Sequence, residues 1–478
     1  MRASRYNLIV VSLMISISSF ASPTDVEKKD AKMKASQNSD PASASSGKTT
    51  SQSAGAPMSK KKPAAEATSA ELPDLVVKAS LATAADAAKA VSDPPGSEMT
   101  PRGIDVRGVY MPVGKISTLT PGEMLRELKD MGANGVVLDV KDDMGRVTFT
   151  NHLPYARGYP HGFLRKLKKV VHTLQDHGIY VIARVVCFKD NWFATRYGSL
   201  AIQDIKTQGK WRDLHNQKWV DPHSQQMRDH IVSVAKGAEE LGFDEIQLDY
   251  VRFPVEPTAR NARFPMKKAG TQRYEAIAEL LRQVDAAISR PLSIDVFGLT
   301  AYHPEESELL GQRLEFLAPH LDAISPMVYL ANWPAKYWEN PKPERTHQVI
   351  KGACRKIRER LGDAIVVRPL LQGFRWRAEN WGYSFVVNQI EAAVGGGSRG
   401  YLFWNARGQY RLVKQVWADM DKAAAEKAQI ETLAKETDEE ASEKVNDETD
   451  SSAKLTPESS RPKIKRNSVR EQMEASLI

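Results

Sequence analysis

The sequence predicts an α/β protein, a parallel (β/α)8 barrel over residues 101–420 flanked by disordered N- and C-terminal tails, and three observations carry that reading. All nine tryptophans and both cysteines of the 478 residues fall between 101 and 420. Outside that window the aromatic residues are Tyr6 and Phe20, so the ends bury too little apolar surface to offset their conformational entropy. Inside it, eight short apolar or alternating runs recur with amphipathic segments between them, the pattern of β/α units. Several of those segments stop at a glycine just before the next run, as at Met131-Gly132, His177-Gly178 and Leu241-Gly242.

Residues 1–21 read as a signal peptide. Arg2 and Arg5 give a positive start, Leu8 to Phe20 an apolar stretch, and Ser19-Phe20-Ala21 a small-x-small cleavage site. The stretch is short and serine-rich for a membrane span of ~20 residues, so a membrane tether is implied only if the signal stays uncleaved. The expected localisation is export, to the periplasm, the cell envelope or the medium. Residues 22–100 form an Ala/Ser/Lys-rich linker of low complexity.

The eight expected strands are Arg107 to Pro112, Gly135 to Lys141, Ile179 to Phe188, Glu245 to Phe253, Leu292 to Phe297, Ala323 to Tyr329, Ile365 to Leu371 and Gly400 to Trp404. Expected helices include Pro121 to Met131, Gly162 to His177, Ser224 to Leu241, Thr271 to Ser289, Glu344 to Leu361 and Val386 to Val394. Residues 421–478 are a charged tail in which an Ala/Glu/Lys stretch continues as helix before acidic and basic runs; disorder is expected there.

Between 101 and 420 there are 45 Lys+Arg against 35 Asp+Glu, so the basicity belongs to the folded body. It suits an acidic polysaccharide, a phosphate-bearing envelope polymer or nucleic acid, or is dispersed surface charge. Two cysteines exclude a disulfide-dense scaffold and multi-cysteine zinc modules. His-Glu-x-x-His and the phosphate loop Gly-x-x-x-x-Gly-Lys-Ser/Thr are absent from the sequence. Asp139, Asp142 and Asp143 offer hard oxygen ligands in a spacing that matches no calcium loop, and neither metal nor cofactor is expected.

Barrel active sites are built from the carboxyl ends of the strands and the loops after them. The residues there are Lys141 and Asp142 after the second strand; Arg184 and Asp190, then Trp211, Trp219 and Asp221 in a long loop, with the third; and Gln247, Asp249, Tyr250 and Arg252 with the fourth. Asp295 belongs to the fifth, Tyr329 to the sixth, Gln372 to the seventh, and Trp404 and Asn405 to the eighth. That end is acidic and aromatic at once. Cleaving a glycosidic bond takes one carboxyl to protonate the leaving oxygen and another to attack carbon or activate water. Asp249 and Asp295 end adjacent strands ~4.8 Å apart, and like charge held that close raises one pKa, as a general acid requires. Flat aromatic faces suit sugar rings. Asp142 is a substitute for either carboxylate or part of a turn, Trp211 and Trp219 line subsites or pack the loop, and Asp221 binds substrate or caps a helix.

Four runs strongly resemble a family of bacterial glycoside hydrolases, exported proteins whose TIM-barrel domain is distantly similar to that of the α-amylase superfamily. They are Gly135-Val-Val-Leu-Asp-Val-Lys-Asp-Asp-Met-Gly-Arg146, Ile179-Tyr-Val-Ile-Ala-Arg-Val-Val-Cys-Phe-Lys-Asp190, Trp219-Val-Asp-Pro222 and Gly242-Phe-Asp-Glu-Ile-Gln-Leu-Asp-Tyr-Val-Arg-Phe-Pro254. The likeness extends through Ser293-Ile-Asp-Val-Phe-Gly298 and Ala323-Ile-Ser-Pro-Met-Val-Tyr329. It implies Asp249 as nucleophile. The acid/base glutamate on the fifth strand is matched by the shorter Asp295, which leaves the acid/base identity and the stereochemical course open. Gln247 replaces an arginine two positions before the nucleophile, and Gln372 stands where a third carboxylate is expected.

The expected function is an exported glycoside hydrolase that cleaves a bacterial envelope or extracellular polysaccharide through two carboxylates. Asp249 is nucleophile or base, Asp295 the acid and Asp142 the reserve; Lys141, Arg184 and Arg252 tune them or bind substrate, and Tyr329, Trp404, Trp211 and Trp219 line subsites. The expected partner is a polysaccharide or oligosaccharide, not nucleic acid, which export and the acidic strand ends both oppose. The rival is a catalytically inactive barrel that binds polysaccharide or acts as an envelope scaffold.

Overall fold

The computed structural model describes residues 99–451 apart from 150–152, 154, 160–161, 334–342 and 379; the expected signal peptide, all but the last two residues of the linker, and the end of the tail lie outside the described residues. Eight parallel strands close a barrel. They are β1 (Arg107–Met111), β2 (Gly135–Lys141), β3 (Tyr180–Val186), β4 (Glu245–Asp249), β5 (Leu292–Phe297), β6 (Ala323–Met327), β7 in two pieces (Val366–Val367 and Leu370–Gln372) and β8 (Tyr401–Trp404). Each pairs with the next, and β1 pairs with both β2 and β8, so no strand edge is left open.

The major helices are α1 (Pro121–Met131), α2 (Phe163–Asp176), α3 (Gln225–Glu240), α4 (Arg273–Asp285), α5 (Pro343–Leu361), α6 (Tyr383–Gly395) and α7 (Arg411–Ser451). Local sequence fixes their ends. In α1, Thr120 and Glu123 form a reciprocal capping box, Pro121 opens the first turn, and Gly132 closes the helix in the left-handed region at φ 80°.

Side chains alternate across each strand, which sorts the core into two shells. Outward residues such as Val136, Val181, Leu248 and Ile294 pack against the helices, while Val137, Ile182, Leu370 and Leu402 fill the barrel. The amino-terminal end is closed by a fully buried ion pair between Arg368 and Glu245, with Ser293 Oγ donating to Glu245 and Arg368 donating to the carbonyl of Gly103. This barrel is a filled core, and its chemistry is confined to the carboxyl end.

Three local features depart from the expected boundaries. β4 stops at Asp249 rather than Phe253, because Tyr250 adopts φ 51° and takes the chain out of the extended region. β7 is interrupted at Arg368-Pro369, since proline has no N–H to give to a ladder. A bulge between Asp139 and Lys141 shifts the register of β2 on β3 and re-aims the side chains beyond it. Beyond 421 the chain is helical as far as Ser451, through a run of Ala, Glu and Lys, all strong helix formers. The barrel unit itself ends at Ala423, with Trp417 buried and Asp421 paired with Arg107 at 2.6 Å. No helix among the described residues is long and apolar enough to cross a membrane.

Candidate active site

At the carboxyl end of the barrel the inward positions of the strands carry Tyr110, Asp139, Arg184, Asp249, Asp295 and Trp404. Leu248 pairs with Ile294, so Asp249 and Asp295 follow them at equivalent places on adjacent strands. Arg184 is the hub. Its Nε and Nη2 donate to Asp249 Oδ2 at 2.9 and 2.5 Å, and its Nη1 donates to Asp139 Oδ1 at 2.6 Å. The Asp249 Oδ1 accepts from the Tyr250 backbone N–H at 2.6 Å, a bond that the left-handed turn at Tyr250 brings into reach. Burial alone lowers the Arg184 pKa, but Asp249 and Asp139 outweigh it and hold the guanidinium charged.

Asp295 is the opposite case. It is only 2% exposed, and its Oδ1 has no hydrogen-bond partner among the described residues. Burial first, and the charge of Asp249 second, push its carboxyl well above the ordinary carboxylate range. Three carboxyl groups around one guanidinium favour retention of a proton, and Asp295 is the member with the least to stabilise its charged form.

Asp139 was not singled out as a catalytic or binding residue by sequence. Its Oδ2 accepts from the Tyr110 hydroxyl at 2.6 Å, and burial pushes its carboxyl up. Tyr110 in turn stacks on Trp404 with ring centroids 3.9 Å apart, and the Arg184 guanidinium lies 4.9 Å from the Trp404 ring. Trp404 is half-buried and forms an aromatic floor continuous with the charged cluster. Tyr329 lies beside the pair: burial, then Asp295 and Asp249, raise its hydroxyl pKa, and its ring meets Phe374 at 5.9 Å. The signal for Asp139 was its inward phase on β2, in register with Arg184.

Other expected residues serve the surrounding framework. Asp142 accepts from the backbone of Met144 and Arg146, the Arg146 Nε and the Tyr159 hydroxyl, so its oxygens are committed to a turn rather than held as a catalytic reserve. Lys141, beyond the bulge, is fully buried between Asp190 at 2.8 Å and the Val186 carbonyl at 2.7 Å. Asp190 also caps the short helix after β3 through the N–H of Phe193. Trp211 and Trp219, expected to line subsites, have no exposed surface; their Nε1 groups donate to the Thr258 carbonyl and to Asp213 inside the long loop. Asp221 is buried and binds His223 and the Met266 N–H, tying that loop to the one after β4. Arg252 pairs with Glu256 and lies over Trp219 and Phe297.

Gln247 sits one layer below the carboxylates and donates to Ser325 Oγ at 3.2 Å. The guanidinium that donates to Asp249 is that of Arg184 on β3, and Asp139 on β2 is a further carboxylate on the same guanidinium. Gln372 donates to the carbonyls of Phe374 and Trp376, and Asn405 donates to those of Gly373 and Gln409, so both shape the loops after β7 and β8. Among the described residues no group of three or more His, Cys, Asp or Glu side chains is arranged to hold a metal ion.

A family model described as "Putative glycosyl hydrolase domain" matches residues 108–410, more than half of the chain. No curated protein matches. A hypothetical protein from Ruminiclostridium thermocellum is 31% identical over 39% of this chain and 97% of its own, with a TM-score of 0.34. The glycoside hydrolase domain of PgaB (BpsB) from Bordetella bronchiseptica is 13% identical over 67% of this chain and 97% of its own, with a TM-score of 0.48. An alpha-galactosidase from Thermus thermophilus is 10% identical over 70% of this chain and 64% of its own, with a TM-score of 0.41.

Proposed function

The chain belongs to this glycosyl hydrolase family, and we propose that it hydrolyses glycosidic bonds in a bacterial envelope or extracellular polysaccharide after export, through Asp249 and Asp295. The observation that carries the reading is the unequal treatment of two neighbouring carboxyls. Asp249 is fixed by the Arg184 fork and the Tyr250 N–H, while Asp295 is buried, unpaired at Oδ1 and biased toward its protonated form. Asp295 gives its proton to the leaving oxygen; Asp249, held on the Arg184 guanidinium and aimed, attacks the anomeric carbon or draws a proton from water. Adjacent registered strands favour the shorter carboxyl separation of ~5 to 5.5 Å, and with it retention of configuration. Tyr110 and Trp404 supply a flat face for a sugar ring beside the pair. The N-terminal sequence pattern supports export.

The test is reducing-end release by the full chain from a panel of envelope and extracellular polysaccharides, with Asp249→Asn alongside. Release by the wild type that Asp249→Asn lacks is the expected result. Release that Asp249→Asn retains contradicts the assignment, and glycan binding without release points to the scaffold role.

A further inference from the structure

The excess positive charge of the barrel is gathered at its carboxyl end. The eight segments that follow the strands there, 112–120, 141–162, 187–224, 250–272, 298–313, 328–342, 373–382 and 405–410, carry 21 Lys+Arg against 12 Asp+Glu, and the rest of 101–420 is near balance at 24 against 23. Four of the loop acids, Asp142, Asp190, Asp213 and Glu256, are buried against Arg146, Lys141, Lys189 and Arg252. The cations include exposed ones. Arg263, Lys267, Lys268 and Arg375 form no ion pair with any described carboxylate. The acidic end read from the sequence is therefore an acidic floor inside a basic rim.

The basic loops are joined to the site. Gln372, at the end of β7, donates to the Phe374 and Trp376 carbonyls at 3.0 and 2.9 Å, and Phe374 packs on Tyr329 beside Asp295. The Arg377 guanidinium lies 4.2 Å from the half-buried Trp376 ring, with Arg377 itself held at φ 51° and bonded to the Ala331 carbonyl. The strand that ends in the candidate site thus carries alternating aromatic and guanidinium groups outward from it. Aromatic faces stack on sugar rings, while guanidinium and ammonium groups pair with carboxylate or phosphate.

We propose that the substrate is an anionic glycan, one bearing carboxylate or phosphate groups along its chain, read by this basic rim while Asp249 and Asp295 cleave it. The inference rests on the glycosidase reading for its catalytic half and on the rim for its choice of substrate. The two halves separate by experiment. Full-length Asp249→Asn, which binds without cleaving, is titrated with a polygalacturonate oligomer, a poly(glycerol phosphate) oligomer, a neutral β-glucan oligomer of equal length and a single-stranded oligonucleotide, at 50 and 300 mM NaCl.

At least one of the two charged glycans is expected to bind tenfold or more tighter than the neutral one, with the advantage shrinking at 300 mM salt. Reversal of Lys267, Lys268 and Arg375 to Glu is expected to weaken that binding at least tenfold. Reversal of three exposed cations on α2, Arg165, Lys168 and Lys169, to Glu leaves it within twofold. Equal binding of the neutral oligomer, equal loss in both triple variants, or an oligonucleotide that outcompetes the glycans at the rim would each overturn the inference. Turnover of neutral glycans alone by the wild type defeats this inference and leaves the glycosidase reading standing. Rim-dependent binding of a charged glycan without turnover does the reverse.

Discussion

Replacing Arg184 by methionine keeps most of the aliphatic stem and removes the guanidinium that holds two buried carboxylates. Asp139 and Asp249 are 5% and 6% exposed, and both take their closest charged contacts from this one side chain. Removing one partner of a buried ion pair costs about 3–5 kcal/mol, and two carboxylates are stranded here, so the upper part of that range is expected at pH 7. The deficit carries a pH signature. Without the guanidinium the Asp139 carboxyl, already raised by burial, rises further and Asp249 loses the charge that opposes its burial, so the folded variant takes up protons that the unfolded chain has not yet bound. Stability lost at pH 7 is therefore regained as pH falls toward 4, by up to ~1.4 kcal/mol per pH unit for each group. Urea unfolding followed by tryptophan fluorescence at pH 7, 5.5 and 4.5 measures this. Adding Asp249→Asn to Arg184→Met recovers part of the loss at pH 7. A deficit below about 1 kcal/mol, or one that is the same at all three pH values, would refute the claim that Arg184 is the electrostatic hub.

Asp295→Asn loses most turnover of natural glycosides yet is more stable than the wild type at pH 8, because the wild-type carboxyl, raised above its unfolded value, loses stability as pH climbs from about 4 toward its folded pKa; paired urea melts at pH 4.5 and 8 check the sign, and equal gaps at both contradict it. His230, with neither ring nitrogen bonded among the described residues and its pKa pushed down to about 3 by burial and then by Lys141, favours unfolding once pH drops below its unfolded value of about 6.5. His230→Leu should remove about 2 kcal/mol of the stability lost between pH 6.5 and 5, and parallel stability curves for the two proteins would rule this out. Trp404→Ala takes away the sugar platform and is expected to raise KM about tenfold with a smaller change in kcat; an unchanged KM would place the sugar elsewhere on the rim.

The barrel was legible in the sequence because its evidence is local: apolar runs of strand length, amphipathic segments, and glycines such as Gly132 at the junctions. What escaped is tertiary. Tyr250 gives no compositional hint of a positive φ, so the end of β4 at Asp249 was hidden, and with it the backbone bond that orients the carboxylate. Asp139 read as one of an acidic trio with Asp142 and Asp143; the strand phase turns Asp139 inward, and the bulge after it separates it from Asp142, which lies in a turn. Trp211 and Trp219 stand in a loop at the catalytic end by sequence, but a loop of that length has a small core of its own, and they fill it. The missing guanidinium next to Asp249 was sought on the same strand and is supplied by a neighbour, a substitution visible only once the strands are in register.

The central claim is a division of labour in which Asp295 gives the proton and Asp249 does the work at carbon. It is tested most directly by varying the leaving group on a glycoside that the wild type cleaves. Asp295→Asn should lose about 10³-fold or more against a natural sugar leaving group, since general acid catalysis contributes ~10² to 10⁴-fold, yet stay within about tenfold of wild type with a 2,4-dinitrophenyl leaving group that departs unprotonated. Asp249→Asn should fail with both. Equal losses for Asp295→Asn across the two leaving groups, or retained cleavage by Asp249→Asn, would contradict the account.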